Sequence, residues 1–133
     1  MNKTPDLNKA TSLFANGEDI FSSTKKSNGS PRFMVLNYYC AALEYIQSII
    51  AAEGIQILGK DHHKEAICSI ASFIPLTAYD FSLLDNLRRI RNDIQYYGTK
   101  SENDINDFYE HNKNAIPLAI EELRREAAKR IGK

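Results

Sequence analysis

Apolar residues recur along this chain at steps of three and four, which is the spacing of one face of an α-helix. The series lie within residues 7–21, 33–52, 67–74, 83–94 and 105–127. No stretch alternates strictly between apolar and polar residues, as a half-buried strand does. The hydrophobic pattern therefore predicts an all-α protein.

The first two series predict helices of different character. The first series is narrow and includes Gly17, which we interpret as a close-packing contact rather than a weak point of the helix. The second series is wide, which predicts a central helix with several neighbours. The apolar positions of the first helix are Leu7, Ala10, Phe14, Gly17 and Phe21. Those of the second are Phe33, Leu36, Cys40, Leu43, Ile46 and Ile50, with Val35, Tyr39, Ala42 and Ile49 beside them.

Start signals precede every series. Each includes a residue that can accept the first backbone N–H bonds, and all but Asp61 add a proline or an acid in the first turn. The third helix is expected to continue as far as Pro75, because proline interrupts a helix. The start signals are Thr4-Pro5-Asp6, Ser30-Pro31, Asp61, Ser82-x-x-Asp85 and Ser101-x-x-Asp104.

The last series continues in phase across Pro117, which predicts one long helix bent at that proline. Short connections favour antiparallel neighbours. The predicted fold is an all-α, antiparallel up-and-down bundle of four to five helices that forms a single domain, residues 1–133. This topology would bring the end of the second helix, the start of the third, the end of the fourth and the start of the fifth to one pole.

Composition limits the function classes. With 17 Lys and Arg against 17 Asp and Glu, the formal net charge is zero, so any nucleic-acid contact must be local. Cys40 and Cys68 lie within apolar helical patterns and are expected to be buried thiols in a reducing compartment. There is neither a signal-peptide pattern nor an apolar stretch long enough to cross a membrane. We expect a soluble cytoplasmic protein without membrane contact.

The candidate chemistry lies in residues 83–98, LLDNLRRIRNDIQYYG. Arg88, Arg91 and Gln95 share one stripe of the predicted helix, and a guanidinium beside an amide suits bidentate binding of phosphate or carboxylate. The structural alternative is that Arg88 and Arg89 form salt links with Asp85, and for these two arginines we favour it. For Arg91 and the adjacent Asn92 we favour a functional role.

Other sites are not indicated. His62-His63 lacks the further His, Cys or acidic ligands at the spacing that zinc requires, so no metal is expected. The chain has no phosphate-binding glycine loop, nucleophile elbow or paired-carboxylate arrangement. We expect no cofactor.

Several segments together resemble the HEPN superfamily (higher eukaryotes and prokaryotes nucleotide-binding domain). The resemblance covers roughly residues 31–127 and rests on LRRIRNDIQYYG, NYYCAALEYI, GKDHHKEAI and the proline-containing NKNAIPLAIEEL. It implies a helical bundle, usually a two-fold homodimer. Active members of the superfamily are metal-independent ribonucleases, often toxins or antiviral effectors, and many pair with a nucleotidyltransferase.

The family signature is an arginine followed four to six residues later by histidine. Arg91 and Asn92 match its opening, but Tyr96 stands where the histidine is expected. Histidine exchanges protons near neutral pH, whereas tyrosine ordinarily titrates near pH 10. The motif therefore retains the phosphate-binding group and lacks the proton-transfer group, unless His62 or His63 approaches Arg91 and supplies it.

The resemblance leaves three functions open. The preferred one is a dimeric HEPN-like protein that binds RNA, a nucleotide or a partner protein at Arg91 and Asn92 without efficient catalysis. The second is a ribonuclease toxin with a noncanonical proton-transfer residue, and the third is a structural bundle without a nucleic-acid role. Some HEPN toxins are adenylylated by the partner nucleotidyltransferase on a tyrosine just beyond the histidine, which makes Tyr97 a weaker candidate for modification.

Overall fold

The computed structural model describes residues 4–57, 62–72 and 74–133. Over these residues the chain forms six α-helices and one π-turn and has no strand, so the all-α prediction is confirmed there. The helices are α1 (Leu7–Lys26), α2 (Pro31–Glu53), α3 (His62–Ile70), α4 (Ala78–Asn92), α5 (Glu102–Asn112) and α6 (Ala115–Arg130). The π-turn (Asp93–Tyr97) follows α4 directly.

Helix α2 forms the centre of the fold, as the width of its apolar arc predicts. It contacts each of the other five α-helices. The predicted side was partly wrong, because Phe33 is 44% exposed and Cys40 is exposed, while Tyr38 and Tyr45 are buried. Since apolar residues surround most of this helix, periodicity alone could not tell which of them face a neighbour.

Helices α1 and α2 run antiparallel and pack closely. The Ser48 hydroxyl donates to the Ala10 carbonyl oxygen at 2.7 Å, and the rings of Phe21 and Tyr38 lie 6.3 Å apart near the other end of α1. The predicted α1 face is buried except for Leu7, which lies in the first turn and is 55% exposed. The close-packing interpretation of Gly17 is confirmed, because a Cβ at this position would lie 2.7 Å from Cε1 of the Tyr45 ring.

Two predicted helix starts are confirmed and two are corrected. Ser30 and Ser101 cap α2 and α5, and Ser101 forms a full capping box with Asp104. Asp6, not the hydroxyl of Thr4, caps α1 by accepting from the Lys9 N–H. Helix α4 begins at Ala78 behind a Thr77 cap, so the cap predicted at Ser82 is wrong. The predicted Asp61 cap lies outside the described residues.

The helix boundaries near Pro75 and Pro117 differ from those predicted. Helix α3 ends at Ile70 rather than continuing to Pro75, and Ile74 is nevertheless buried. The predicted single bent helix is two helices, because the chain leaves α5 after Asn112 and α6 begins at Ala115. Pro117 thus falls in the first turn of α6, where a missing N–H leaves no hydrogen bond unmade and the proline ring need not clash with a preceding turn.

The cysteine prediction is wrong. Cys40 and Cys68 are both exposed free thiols, because each lies on the outward side of its helix.

In the described ranges, no helix combines the length and apolar character that crossing a membrane requires.

Candidate ligand-binding site

The candidate site is built where α4 changes into the π-turn. The Gly98 N–H donates to the Asp93 carbonyl oxygen at 2.7 Å, which closes a turn one residue wider than an α-helical turn. Gly98 then leaves the helix with a φ of 64°, a left-handed conformation that glycine adopts without steric cost. Single π-turns within helices are rare and occur frequently at functional sites.

Arg91 is the central residue of this site. Its guanidinium carbon lies 5.2 Å from the centre of the Tyr39 ring and 5.4 Å from that of Tyr96. Both distances are within the range of cation–π attraction, which holds the guanidinium in place. Tyr39 comes from the middle of α2 and Tyr96 from the π-turn, so two elements position the same charge.

The hydrogen-bonding capacity of Arg91 is largely unused. Its Nη1 donates to the Asn92 side-chain oxygen at 3.0 Å, and its buried Nε has no hydrogen-bond partner. Among the described residues, no carboxylate pairs with Arg91. The guanidinium charge is therefore not compensated by a carboxylate, and Nη2, which is not buried and makes no hydrogen bond to a described residue, is the group from which an anion can accept.

The neighbouring arginines differ from Arg91. Arg88 is buried and donates through Nε and Nη2 to Asp85 at 3.1 and 3.0 Å. Arg89 is exposed and pairs with the second oxygen of Asp85 at 3.1 Å. The salt-link interpretation of these two arginines is confirmed.

The tyrosines of the motif are open to solvent. Tyr96 is 67% and Tyr97 is 72% exposed, and Gln95 beside them is also exposed. An exposed aromatic ring beside an arginine can stack on a nucleobase while the arginine holds a phosphate. Tyr96 thus combines an exposed ring with a position beside the Arg91 guanidinium.

The two histidines lie in different surroundings. The His63 ring centre is 5.9 Å from that of Tyr39, so His63 and Arg91 contact the same aromatic ring. His62 is exposed and lines a separate cavity of about 380 Å³ with Lys9 and Gln47. Of the two, the structure brings only His63 toward the candidate site.

The prediction that the end of α2 and the start of α5 share one pole of the bundle is wrong. Arg32 at the start of α2 pairs with Glu102 at the start of α5 at 2.6 Å. Glu53 at the end of α2 pairs instead with Arg130 at the end of α6 at 2.7 Å. The start of α5 therefore lies at the start of α2 rather than at its end, and it is the Tyr39 side chain that His63 and Arg91 have in common.

Asp93 is a site residue that the sequence interpretation missed. It is 5% exposed, and its carboxylate accepts from the backbone N–H groups of Thr99 and Lys100 at 3.1 and 2.7 Å and from the Thr99 hydroxyl. These bonds, the Thr99 hydroxyl first among them, lower the pKa of Asp93. No local turn signal marks Asp93, because its carboxylate bonds backbone N–H groups six and seven residues further along the chain, beyond the two-residue reach of an ordinary Asx turn.

Within the described residues, no three His, Cys, Asp or Glu side chains are grouped so as to hold a metal ion. What the site offers is a positive charge beside one buried and one exposed tyrosine ring, those of Tyr39 and Tyr96. Comparison of the chain with protein-family models, with curated proteins and with solved structures gave no match.

Proposed function

We propose that this chain is a single HEPN-like domain that binds a phosphate-bearing ligand, RNA or a nucleotide, at Arg91. The observation that carries the proposal is the uncompensated guanidinium of Arg91 between two tyrosine rings, beside two arginines that Asp85 neutralises. The exposed rings of Tyr96 and Tyr97 favour a nucleic acid or nucleotide over a partner protein, because rings of this kind stack on bases.

The neutral overall charge is consistent with this proposal, because the attraction of a phosphate then depends mainly on the local charge of Arg91. A protein with a broad basic surface binds RNA through many equivalent contacts. Here the net charge is zero, so the loss of one free guanidinium removes a large share of the attraction. The bound ligand would accept from Arg91 through phosphate oxygens and stack a base on Tyr96.

The test is RNA binding measured by fluorescence anisotropy on a labelled single strand of mixed sequence. Arg91→Ala is expected to weaken binding about tenfold, the loss of one charge-assisted contact, and to lower the salt dependence by about one phosphate contact. Arg89→Ala is the matched control, because it removes an exposed arginine two positions away that Asp85 already neutralises. We expect less than about a twofold change for it.

Two outcomes would contradict the proposal. Equal effects of the two substitutions would mean that binding depends on general charge rather than on the site. An absence of binding to both RNA and nucleotides by the wild-type chain would favour the structural bundle.

The ribonuclease is kept as a second candidate because His63 contacts the ring that also contacts Arg91. In that case His63 would be the proton-transfer group that the motif otherwise lacks. The binding samples also test this candidate, because denaturing gels reveal cleavage. Cleavage that His63→Ala abolishes and that leaves cyclic phosphate ends would establish the ribonuclease; intact RNA would remove it.

The proposal extends to the assembly. We infer an antiparallel bundle that forms a homodimer in the cytoplasm, with a nucleotidyltransferase as a partner in a toxin–antitoxin or defence system. The exposed phenol of Tyr97 is open to modification by such an enzyme. Sedimentation velocity giving a monomer at micromolar concentration would rule out the dimer. Unchanged tyrosine masses after incubation with a nucleotidyltransferase encoded next to this chain would rule out the modification.

A further inference from the structure

The side chain of Asp93 ties the loop after the π-turn back to the end of α4. Its Oδ1 accepts from the Thr99 N–H and hydroxyl, and its Oδ2 accepts from the Lys100 N–H. The carbonyl oxygen of the same residue accepts from the Gly98 N–H. One residue thus closes the turn through both its backbone and its side chain.

The turn that Asp93 closes contains Tyr96. In a continued α-helix, a residue five positions after Arg91 would lie roughly 140° around the helix axis from it. The wider π-turn rotates the chain less per residue, so Tyr96 comes round toward Arg91. The ring centre of Tyr96 lies 5.4 Å from the guanidinium carbon of Arg91.

A π-turn needs support from outside its own backbone, because isolated π geometry is rare. Within the described part of the chain, the hydrogen bonds from Thr99 and Lys100 to the Asp93 carboxylate provide that support. Gly98 contributes the left-handed conformation that ends the turn, with a φ of 64°, and its N–H closes the turn on the Asp93 carbonyl oxygen.

We propose that Asp93 is a positioning residue of the Arg91 site, which holds the π-turn closed so that Tyr96 stays against the Arg91 guanidinium. Asp93 contacts no ligand in this arrangement and acts through Tyr96. The inference deepens the proposed RNA or nucleotide binding and rests on it for its functional consequence. The geometric part, that Asp93 holds Tyr96 against Arg91, can be tested without any ligand.

Asp93→Asn tests the inference with little change of shape. An asparagine oxygen can replace Oδ1, but its NH₂ group would then face the Lys100 N–H, and two donors cannot bond. The matched control is Asp104→Asn, because Asp104 also accepts a backbone N–H from this loop, that of Ser101 at 3.1 Å, but does not close the π-turn. Thr99→Val is a second variant, which removes only the hydroxyl bond and keeps the charge of Asp93.

The first readout is the Arg91 Nε–H signal in NMR spectra of the full chain. This group is buried and lies beside two aromatic rings, so ring currents set its position. Asp93→Asn and Thr99→Val are expected to move the signal toward the position that it takes in Tyr96→Leu, while Asp104→Asn leaves it unchanged. An unmoved signal in both loop variants overturns the inference, whether or not the chain binds RNA.

The second readout is affinity for the labelled RNA. Asp93→Asn is expected to weaken binding about three- to fivefold, as Tyr96→Leu does, because both remove the same stacked ring from Arg91. The Asp93→Asn/Tyr96→Leu double variant should then bind no more weakly than Tyr96→Leu alone. Effects that multiply would show that Asp93 acts independently of Tyr96 and would contradict the inference. A wild-type chain that does not bind RNA refutes the proposed function, and the NMR result still decides the role of Asp93.

Discussion

Three arginines within four positions of α4 lie in two different environments. Arg88 and Arg89 share Asp85, whereas Arg91 lies between the rings of Tyr39 and Tyr96. Local spacing predicts the first two pairings, because residues three and four apart on a helix are neighbours. It does not predict the surroundings of Arg91, since Tyr39 is far away in the sequence and reaches Arg91 only through helix packing.

Gly17 lies so close to the Tyr45 ring that there is no room for the methyl group of an alanine at this position. A Cβ at this position would lie 2.7 Å from Cε1 of Tyr45, whose ring is fully buried and packed against Phe14 and Phe21. Gly17→Ala should lower the free energy of unfolding by about 1–2 kcal/mol, because overpacking outweighs the better helix propensity of alanine. Urea unfolding monitored by circular dichroism measures the loss.

The control for this substitution is Asn16→Ala, at the adjacent exposed position of α1. There the propensity gain acts without a clash, so stability should stay equal or rise slightly. A stabilising Gly17→Ala would mean that the Tyr45 ring can move aside, and the close-packing interpretation would then be wrong.

At the scale of elements, some helix boundaries follow from the neighbouring residues alone, and others do not. The caps at Ser30 and Ser101 were predictable because each involves only the next three residues. The apolar ladder that begins at Leu83 predicts a start of α4 near Asp80 to Ser82, whereas the helix begins at Ala78. Thr77 with Asp80 in the first turn is an equally good start signal, and it is the one that the chain uses.

The two candidate caps of α4 give a direct comparison. Thr77→Ala should lower the free energy of unfolding by about 1 kcal/mol, since it removes the acceptor for the Asp80 N–H at 3.0 Å. Ser82→Ala, within the helix and exposed, should change stability by less than about 0.5 kcal/mol. Thermal and urea unfolding of both variants measure the difference, and a larger loss for Ser82→Ala would contradict the observed boundary.

At the scale of the whole molecule, one cluster joins three helices. Glu18 of α1 accepts from the Tyr45 hydroxyl of α2 at 2.7 Å and from the Arg124 guanidinium of α6 at 2.6 Å. Burial is the largest influence on the pKa of Glu18 and raises it, but the hydrogen bonds from Arg124 and Tyr45 outweigh burial and leave the pKa lowered. Burial, followed by the hydrogen bond to Glu18, raises the pKa of Tyr45.

This cluster predicts a loss of stability at both ends of the pH range. A lowered carboxyl pKa stabilises the fold above the ordinary value of 4.5, and that contribution disappears as the pH falls below it. A raised phenol pKa stabilises the fold below the ordinary value of 10.0, and that contribution disappears as the pH rises further. Glu18→Gln should flatten the acid side of the profile and reduce the fall on the alkaline side.

Urea unfolding at several pH values between acid and alkali tests this expectation. Glu110→Gln is the control, because it removes an exposed ion pair within α5 and its adjoining turn and should keep the wild-type profile. If Glu18→Gln has the same acid dependence as the wild-type chain, the cluster does not contribute to the pH dependence.

The sequence by itself determined the helical class, the central position of α2, most of the buried face of α1, the caps at Ser30 and Ser101 and the pairing of Asp85. Each of these rests on helical periodicity or on contacts within one turn, which short stretches of sequence encode. Only the tertiary structure decided that Cys40 and Cys68 face outward, that the last helix divides before Pro117, and that Tyr39 brings His63 and Arg91 to one ring. These features depend on which neighbour packs on each face of a helix, and the π-turn that positions Tyr96 depends on Asp93 reaching the loop beyond it.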